Sequence, residues 1–563
     1  MIEGLVADRA TAIAVFLVFI ACCLFVCMLT SPDLHDGGDD FYTQDAAGGP
    51  LRQGLALTGD FISAAGVLYL CGVVAVASYD GVLLIAATAL SPLLLKVWLA
   101  ERLPEGGGWT LGDVFARRLP AGPARRAAGV VTLVASVPLL IAQLVPIGQI
   151  TAALMGLPGE KGEIAGIVLV GVLMLACAAI GGVRGSTLLQ IGKAVAFLLL
   201  APLLALLVLQ QFHWDYAEVL SQAAHGSGAG DAYLAPGRLF GTGTTGRIDT
   251  LSLGFTVLLG AAFLPNLVMR LSTNSGAEGA RRATSWAVGA ICLLCVTAVL
   301  LGYGIQALAG ADGLREAGPR GGNNLLLLAA ALDGSAPDSP GTLLTFISCA
   351  AFLTVMASAS VLLLAGSAAI VRDMGRARTS PATGERAVSS PAWARLALIG
   401  VGAVCIVLAV LGRGADAQFW LTLTYTEAAS VVLPALCYSL LWARFTVHGL
   451  RWCVYGGTLV TVVLLAFSPA VSGGPHALCP HADWHLFPLH APGLISIPLG
   501  FLLGLLGSAR TRSGNAAPAP AAAPQQHAGA RSPQGRPAEG AFPGGSAFAG
   551  AFGDRERPGS PRR

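Results

Sequence analysis

Apolar runs long enough to cross a bilayer recur along the chain, near residues 11–30, 55–79, 81–100, 127–155, 162–181, 186–211, 248–269, 283–311, 343–371, 394–412, 417–442, 452–469 and 491–507. About 30 Å of hydrocarbon takes about 20 residues of helix to cross. A helix pairs its own backbone groups there, whereas an open strand or loop leaves them unsatisfied in a medium without water. The recurrence therefore dictates an all-α polytopic membrane protein of about thirteen transmembrane helices. Composition agrees, with 55% apolar and 12% charged residues, against about a quarter charged in soluble chains. The first run, "TAIAVFLVFIACCLFVCML", is long for the apolar core of a signal peptide and no small-residue cleavage site follows, so it reads as a retained helix.

The net charge of +3 is too small to point to a nucleic-acid partner, so the placement of the charges matters more than their sum. With the N-terminus outside, the inner loops and the start of the tail collect about twenty basic residues against about seven in the outer loops. Arg117, Arg118, Arg125 and Arg126, then Arg281 and Arg282, then Arg372, Arg376, Arg378 and Arg386 all fall inside. The C-terminus is then cytoplasmic, and the expected location is the plasma membrane. Short connections near 80, 182 and 413 separate neighbouring spans, and longer loops near 212–247 and 312–342 have room for short helices. The twelve cysteines are mostly scattered in or beside apolar runs and form no framework of paired CxxC motifs, so they read as small hydrophobes. From about Ser513 the chain turns rich in Ala, Pro, Gly and Gln, as in "APAPAAAPQQHAGARSPQGRPAEG", and is expected to be disordered.

One stretch resists the apolar pattern. "TGDFISAAG", Thr58–Gly66, places two glycines, a carboxylate and two hydroxyls at the head of a span. Gly59 and Gly66 weaken the helix. Where it unwinds, carbonyls lose their helical partners and become hard oxygen ligands for a desolvated cation. Asp60 reads either as a cap or interfacial carboxylate, or as a charge that favours a nearby cation. A later span, "LSLGFTVLLGAAFLPN", is interrupted similarly by Gly254, Gly260 and Pro265. Matched interruptions fit an inverted-repeat transporter with its site near mid-membrane; they also fit the general abundance of Gly and Pro in membrane helices. In "LTVMASASVLLLAGSAAIVRD", Thr354 and Ser358 share one helix face, although such hydroxyls more often bond back to their own helix or to a neighbour.

The stretches "GLALTGDFISAAG", "YDG", "LLLKVWLAERL", "IAQLVPIGQI", "GGVRGSTLLQIGKAV", "LPNLVMRLST", "GGNN" and "LLAGSAAIVRDM" follow one another in an order and spacing that resembles the sodium:solute symporter family, above all its cation/acetate symporters and monocarboxylate carriers. The resemblance covers about residues 38–507. It implies a five-plus-five inverted-repeat core like that of neurotransmitter:sodium symporters over 38–442. Residues 1–37 then add an extra helix and loop, 443–508 add further helices, and 509–563 form a cytoplasmic tail. It also implies a sodium site with ligands at Gly59, Ile62, Thr354, Ala357 and Ser358. Ser63, Ala64 and Ala65 would line the substrate cavity, and Gln143 is a polar candidate for contact whose other reading is an interhelical hydrogen bond.

Two departures matter. Ala357 stands where many members carry a hydroxyl, so Thr354 one turn earlier would have to supply the oxygen. Thr187 stands where sugar-transporting members carry an aspartate, which argues against a sugar. The outer loop "HALCPHADWHLFPLH" gathers His476, Cys479, His481 and His485, but not at the spacing of a structural zinc site. No paired catalytic constellation lies in a loop, so the expectation is a transporter and not an enzyme. It would need no cofactor, have sodium as the co-transported ion, and carry a small monocarboxylate such as acetate. The alternative is a sodium- or proton-coupled carrier of another small solute such as proline, pyruvate or an osmolyte.

Overall fold

The computed structural model describes residues 2–31, 41–42, 49–62, 64–104, 108–157, 159–272, 276–316, 324–333, 342–375, 378–379, 386–387, 391–474, 477–479 and 481–510. Ser63, His476 and the tail beyond Arg510 lie outside the described residues. Helices dominate, as the apolar runs require. In chain order they are α1 (Ile2–Leu29), α2 (Pro50–Phe61), α3 (Ala64–Ala77), α4 (Tyr79–Leu94), α5 (Leu111–Ala116), α6 (Ala121–Met155) and α7 (Glu160–Gln211). Then come α8 (Tyr216–Gly226), α9 (Thr244–Ala262), α10 (Pro265–Ser272), α11 (Gly276–Glu316), α12 (Asn324–Asp333) and α13 (Thr342–Ala368). The last are α14 (Pro391–Leu411), α15 (Ala417–Glu427), α16 (Leu433–Leu441), α17 (Val447–Arg451), α18 (Gly457–Ala466) and α19 (Gly493–Arg510). Two-residue strands β1 (Arg378–Thr379) and β2 (Arg386–Ala387) pair antiparallel.

Ten stretches among the described residues are long and apolar enough to cross a membrane. The difference from about thirteen spans has a local cause in each case. α7 is continuous over 52 residues, but Gly182 stands at φ 53 and ψ −151, so two helices meet there. That positive φ suits glycine, and a Cβ would also meet the Phe41 carbonyl at 3.0 Å. α2 ends at Phe61 and α3 starts at Ala64, so neither piece is span-length alone. The apolar part of α1, Ile13–Leu29, is a shorter helix. The connections expected near 80 and 413 are turns: Ser78 sits at φ 44, and Ala415 N–H bonds the Gly412 carbonyl at 3.0 Å.

α13 packs on α7 and α6, and α2 lies against α7 and α11. α15 packs on α6 and α9, while α17 and α18 pack on α19, and α18 and α19 pack against the π-helical turn Ala428–Val432 that follows α15. Close approach of α19 depends on small residues; Gly504, for one, lies under the Tyr438 ring, where a Cβ would sit 2.7 Å from it. Leu199, Val296 and Leu411 stay largely exposed on the outside, as lipid-facing side chains do. The loop after α7 is ordered by buried contacts. Tyr233 donates to the carbonyls of Val74 and Ala75, each at 2.9 Å, and Asp80 accepts from the N–H groups of Gly237 and Leu239.

Candidate functional site

The interruption in "TGDFISAAG" is a break in the helix. Thr58 Oγ1 bonds back to the Gly54 carbonyl at 2.8 Å, and Ile62 N–H closes the last turn on the Thr58 carbonyl at 3.0 Å. Ile62 itself turns extended, at φ −83 and ψ 115, and its carbonyl leaves the helix. Gly59 makes room for this geometry. A Cβ on it would lie 2.8 Å from the Gln190 carbonyl carbon of α7 and closer still to the oxygen.

Three elements meet at the freed carbonyl. Lys193, fully buried in the second half of α7, donates from Nζ to Ile62 O and to Ser358 Oγ of α13, both at 2.7 Å. One turn earlier, Gln190 Nε2 donates to the Ala357 carbonyl at 3.2 Å. The expected ligand positions Ile62, Ala357 and Ser358 are therefore neighbours, gathered by two side chains of α7. Thr354 lies one turn before Ser358, and its hydroxyl donates to the Ala350 carbonyl at 2.6 Å. Ala64 and Ala65 open α3 directly after the break. Gln143 is buried in α6, with Nε2 at 3.5 Å from the Leu139 carbonyl and Oε1 without a partner among the described residues.

Asp60 proves to be neither cap nor interfacial carboxylate. It is buried and paired with Arg270 of α10, which donates from Nε and, at 3.3 Å, from Nη2. Arg270 Nη1 also reaches Thr187 Oγ1 at 3.4 Å. Thr187 thus sits beside this ion pair, while Gln190 and Lys193 are α7 side chains that reach α13. The pair ties the first broken helix to the second, because α10 follows the break between Ala262 and Pro265.

Beside Ile62 lies an apolar cavity. Tyr69, Thr88, Phe197, Thr422 and Tyr425 are among its lining residues, and among the described residues no Asp, Glu, Lys or Arg lines it. The Tyr69 hydroxyl is buried without a partner among the described residues. Gln143 is not in this lining.

A second polar cluster joins α5, the start of α6 and the π-helical turn Ala369–Met374 that follows α13. Asp113 binds Arg125 at 2.6 Å and Arg372 at 3.1 Å, and completes a capping box with Thr110 at the start of α5. Thr110 Oγ1 donates to Asp373 at 2.8 Å. The Arg372 guanidinium stacks 4.5 Å over Trp109, whose other neighbour is the Tyr42 ring at 5.1 Å. Burial pulls the Asp113 carboxyl up, but Arg372, Arg125 and the N–H groups of Thr110 and Trp109 outweigh it and hold the group below the usual carboxylate range.

Sequence reasoning passed over Lys193, Arg270 and Glu427. Each is an ionisable residue within or directly beside an apolar run, which marks a functional candidate by default. Glu427 is fully buried at the end of α15; it accepts from Thr458, and its Oε2 has no partner among the described residues. Among the described residues no group of three or more His, Cys, Asp or Glu converges on a metal position. In the loop between α18 and α19, His485 is bonded to Asp483 at 2.5 Å.

The profile of the sodium:solute symporter family matches residues 41–457. A monocarboxylic acid transporter of Corynebacterium glutamicum is 32% identical over 518 residues, covering 90% of this chain and 92% of the relative. The uncharacterized symporter YwcA of Bacillus subtilis is 31% identical over 471 residues, covering 83% and 88%. Among solved structures, a Na+-coupled sialic acid symporter in a substrate-bound outward-open state superposes with a TM-score of 0.63 at 13% identity, covering 89% of this chain and 98% of its own.

Proposed function

The chain belongs to the sodium:solute symporter family, and from that premise we propose that it takes up a small monocarboxylate, acetate foremost, by cation-coupled alternating access. It is a multi-pass membrane protein with the inverted-repeat fold of neurotransmitter:sodium symporters, and family membership supports sodium as the co-transported ion. The observation that carries the reading is the meeting of the freed Ile62 carbonyl with Ser358 beside an apolar cavity.

In this reading sodium binds among Gly59, Ile62, Thr354, Ala357 and Ser358 and fastens α2 to α13. Fastening shapes the adjacent cavity, with Ser63, Ala64 and Ala65 as substrate contacts after the break and Gln143, which is not in that lining, as a further contact on α6. The N-terminal end of α3 offers unpaired N–H groups and the positive end of a helix dipole to the carboxylate, and the apolar lining takes the short hydrocarbon tail. The core comprises residues 38–442, with extra helices in 1–37 and 443–508 and a tail over 509–563. The distribution of Arg and Lys puts the N-terminus outside and the tail in the cytoplasm of a plasma-membrane protein.

One sodium with one carboxylate carries no net charge, so the membrane potential, about 2.3 kcal/mol per charge per 100 mV, does not drive that stoichiometry. The test is uptake of radiolabelled acetate into proteoliposomes with and without an inward sodium gradient. Faster uptake with the gradient is expected, and uptake indifferent to sodium overturns sodium coupling. Unlabelled propionate and pyruvate should compete, whereas competition by proline alone would move the substrate out of the monocarboxylates.

A further inference from the structure

The cation-ligand oxygens expected at the break are already engaged. Lys193 Nζ lies 2.7 Å from Ile62 O and 2.7 Å from Ser358 Oγ, at the short end of N–H···O hydrogen bonds. Nζ thus bridges the carbonyl that the break releases and the hydroxyl that α13 presents, the same two elements that sodium is expected to join. A second cation at these two oxygens would lie next to Nζ in a medium of low dielectric, where like charges repel strongly. Neither oxygen carries a formal negative charge to offset a second positive one. Asp60, two residues before Ile62, is committed to Arg270. Gln190, one turn before Lys193 on α7, still has a buried Oε1 without a partner among the described residues, so the pocket keeps an oxygen that the lysine leaves unused.

We infer that the Lys193 ammonium is a tethered occupant of the cation site. It holds α2 to α13 when sodium is absent, sodium enters only when Lys193 withdraws, and the lysine thereby sets the sodium affinity. This deepens the reading above and rests on its placement of the site at Ile62 and Ser358. The stem of Lys193 has four methylenes, and Phe197, one turn further along α7, lines the neighbouring cavity. A withdrawn ammonium therefore has a space to move into, on the side where an anionic substrate would meet it.

The experiment is binding of sodium to the purified full-length protein, with choline as the balancing salt, for the wild type, Lys193→Met and Lys193→Gln. The methionine keeps the length of the stem without the charge, and the glutamine keeps a hydrogen-bond donor. Sodium should bind Lys193→Met at least tenfold more tightly than the wild type. Equal or weaker binding overturns the inference. If Lys193→Met folds poorly, thermal unfolding of Lys193→Gln decides the question: sodium should raise its Tm by more than it raises that of the wild type, and an equal rise overturns the inference. Ser358→Ala separates the two levels. If it weakens sodium binding while Lys193→Met changes nothing, the site stands and the tethered lysine falls. If Ser358→Ala leaves sodium binding unchanged, in the wild type and in Lys193→Met alike, both fall.

Discussion

The two broken helices are built alike and furnished differently. Gly59 precedes the break after α2, and Gly260 precedes the break after α9, each three residues before its helix cap. A Cβ on Gly59 would lie 2.8 Å from the Gln190 carbonyl carbon of α7, and one on Gly260 would lie 2.8 Å from the Tyr425 carbonyl carbon of α15. Each broken helix is thus pressed, through a glycine, onto the backbone of a neighbouring helix. Beyond that contact the two diverge. Three residues after Gln190 comes Lys193, which reaches into the first break; three residues after Tyr425 comes Ala428, where a π-helical turn begins. At the second break the Leu264 carbonyl is taken up by the N–H groups of Leu267 and Val268, and Pro265 starts the next helix. The first break therefore releases an oxygen to side-chain chemistry, and the second returns it to a helix. Repeated architecture makes the break, and the side chain from the partner helix decides what the break is used for.

Cutting the link between the two breaks should have the largest effect. Arg270→Ala leaves Asp60 buried and unpaired, a defect of about 3–5 kcal/mol, which should appear as a large fall in Tm in detergent. Restoring neutrality with Asp60→Asn in the same chain should recover much of that loss; failure to recover would mean that Arg270 acts through packing and not charge. Next comes Ser358→Ala, which removes an acceptor of a charged hydrogen bond worth about 1.5–3 kcal/mol. The loss should be visible in thermal unfolding together with an altered sodium dependence of uptake, and unaltered uptake kinetics in sodium would detach the first break from the cation.

Gly59→Ala and Gly260→Ala test the shared half of the comparison. Each forces a methyl against a neighbouring backbone, at about 1–3 kcal/mol by the usual cost of overpacking. Similar losses of thermal stability are expected, and a tolerated Gly260→Ala would show the two contacts to be unlike. The smallest effect lies away from both breaks, at Asp113. Its carboxyl is held below the usual range in the folded protein. The stability it lends is complete above the unfolded aspartate value of about 3.9 and is lost as pH falls through the lower folded value. Between neutral pH and about pH 3, the wild type should therefore lose more Tm than Asp113→Asn does. Parallel slopes would remove Asp113 from the acid response.

Much of the architecture was legible in the chain. Apolar run length fixed the helices, because hydrocarbon leaves the backbone no other way to be paired. The turns at Ser78 and Gly182 and the break at Ile62 fell where the polar and glycine interruptions lay. The site was legible only in part. Aligned motifs put Ile62, Ala357 and Ser358 near one another in the sequence reading, and these residues are neighbours in the fold. Nothing local decides between the readings of Asp60 as a cap or interfacial carboxylate and as a charge that favours a cation, because its partner Arg270 lies 210 positions away. Glu427 and Lys193 gave only the general signal of a charge in an apolar run, with nothing local to say what they face.

The sequence by itself determined that this is a polytopic helical membrane protein, and where its first broken helix must fail. Those properties follow from residues that act on their own backbone: apolar length, a glycine beside an aspartate, a proline after a break. Only the tertiary structure decided what occupies the failure. Lys193 meets Ile62 across 131 positions and Ser358 across 165. Pairing over such distances depends on how packed helices bring side chains to one point, because a buried charge is tolerated only where the fold supplies its partners.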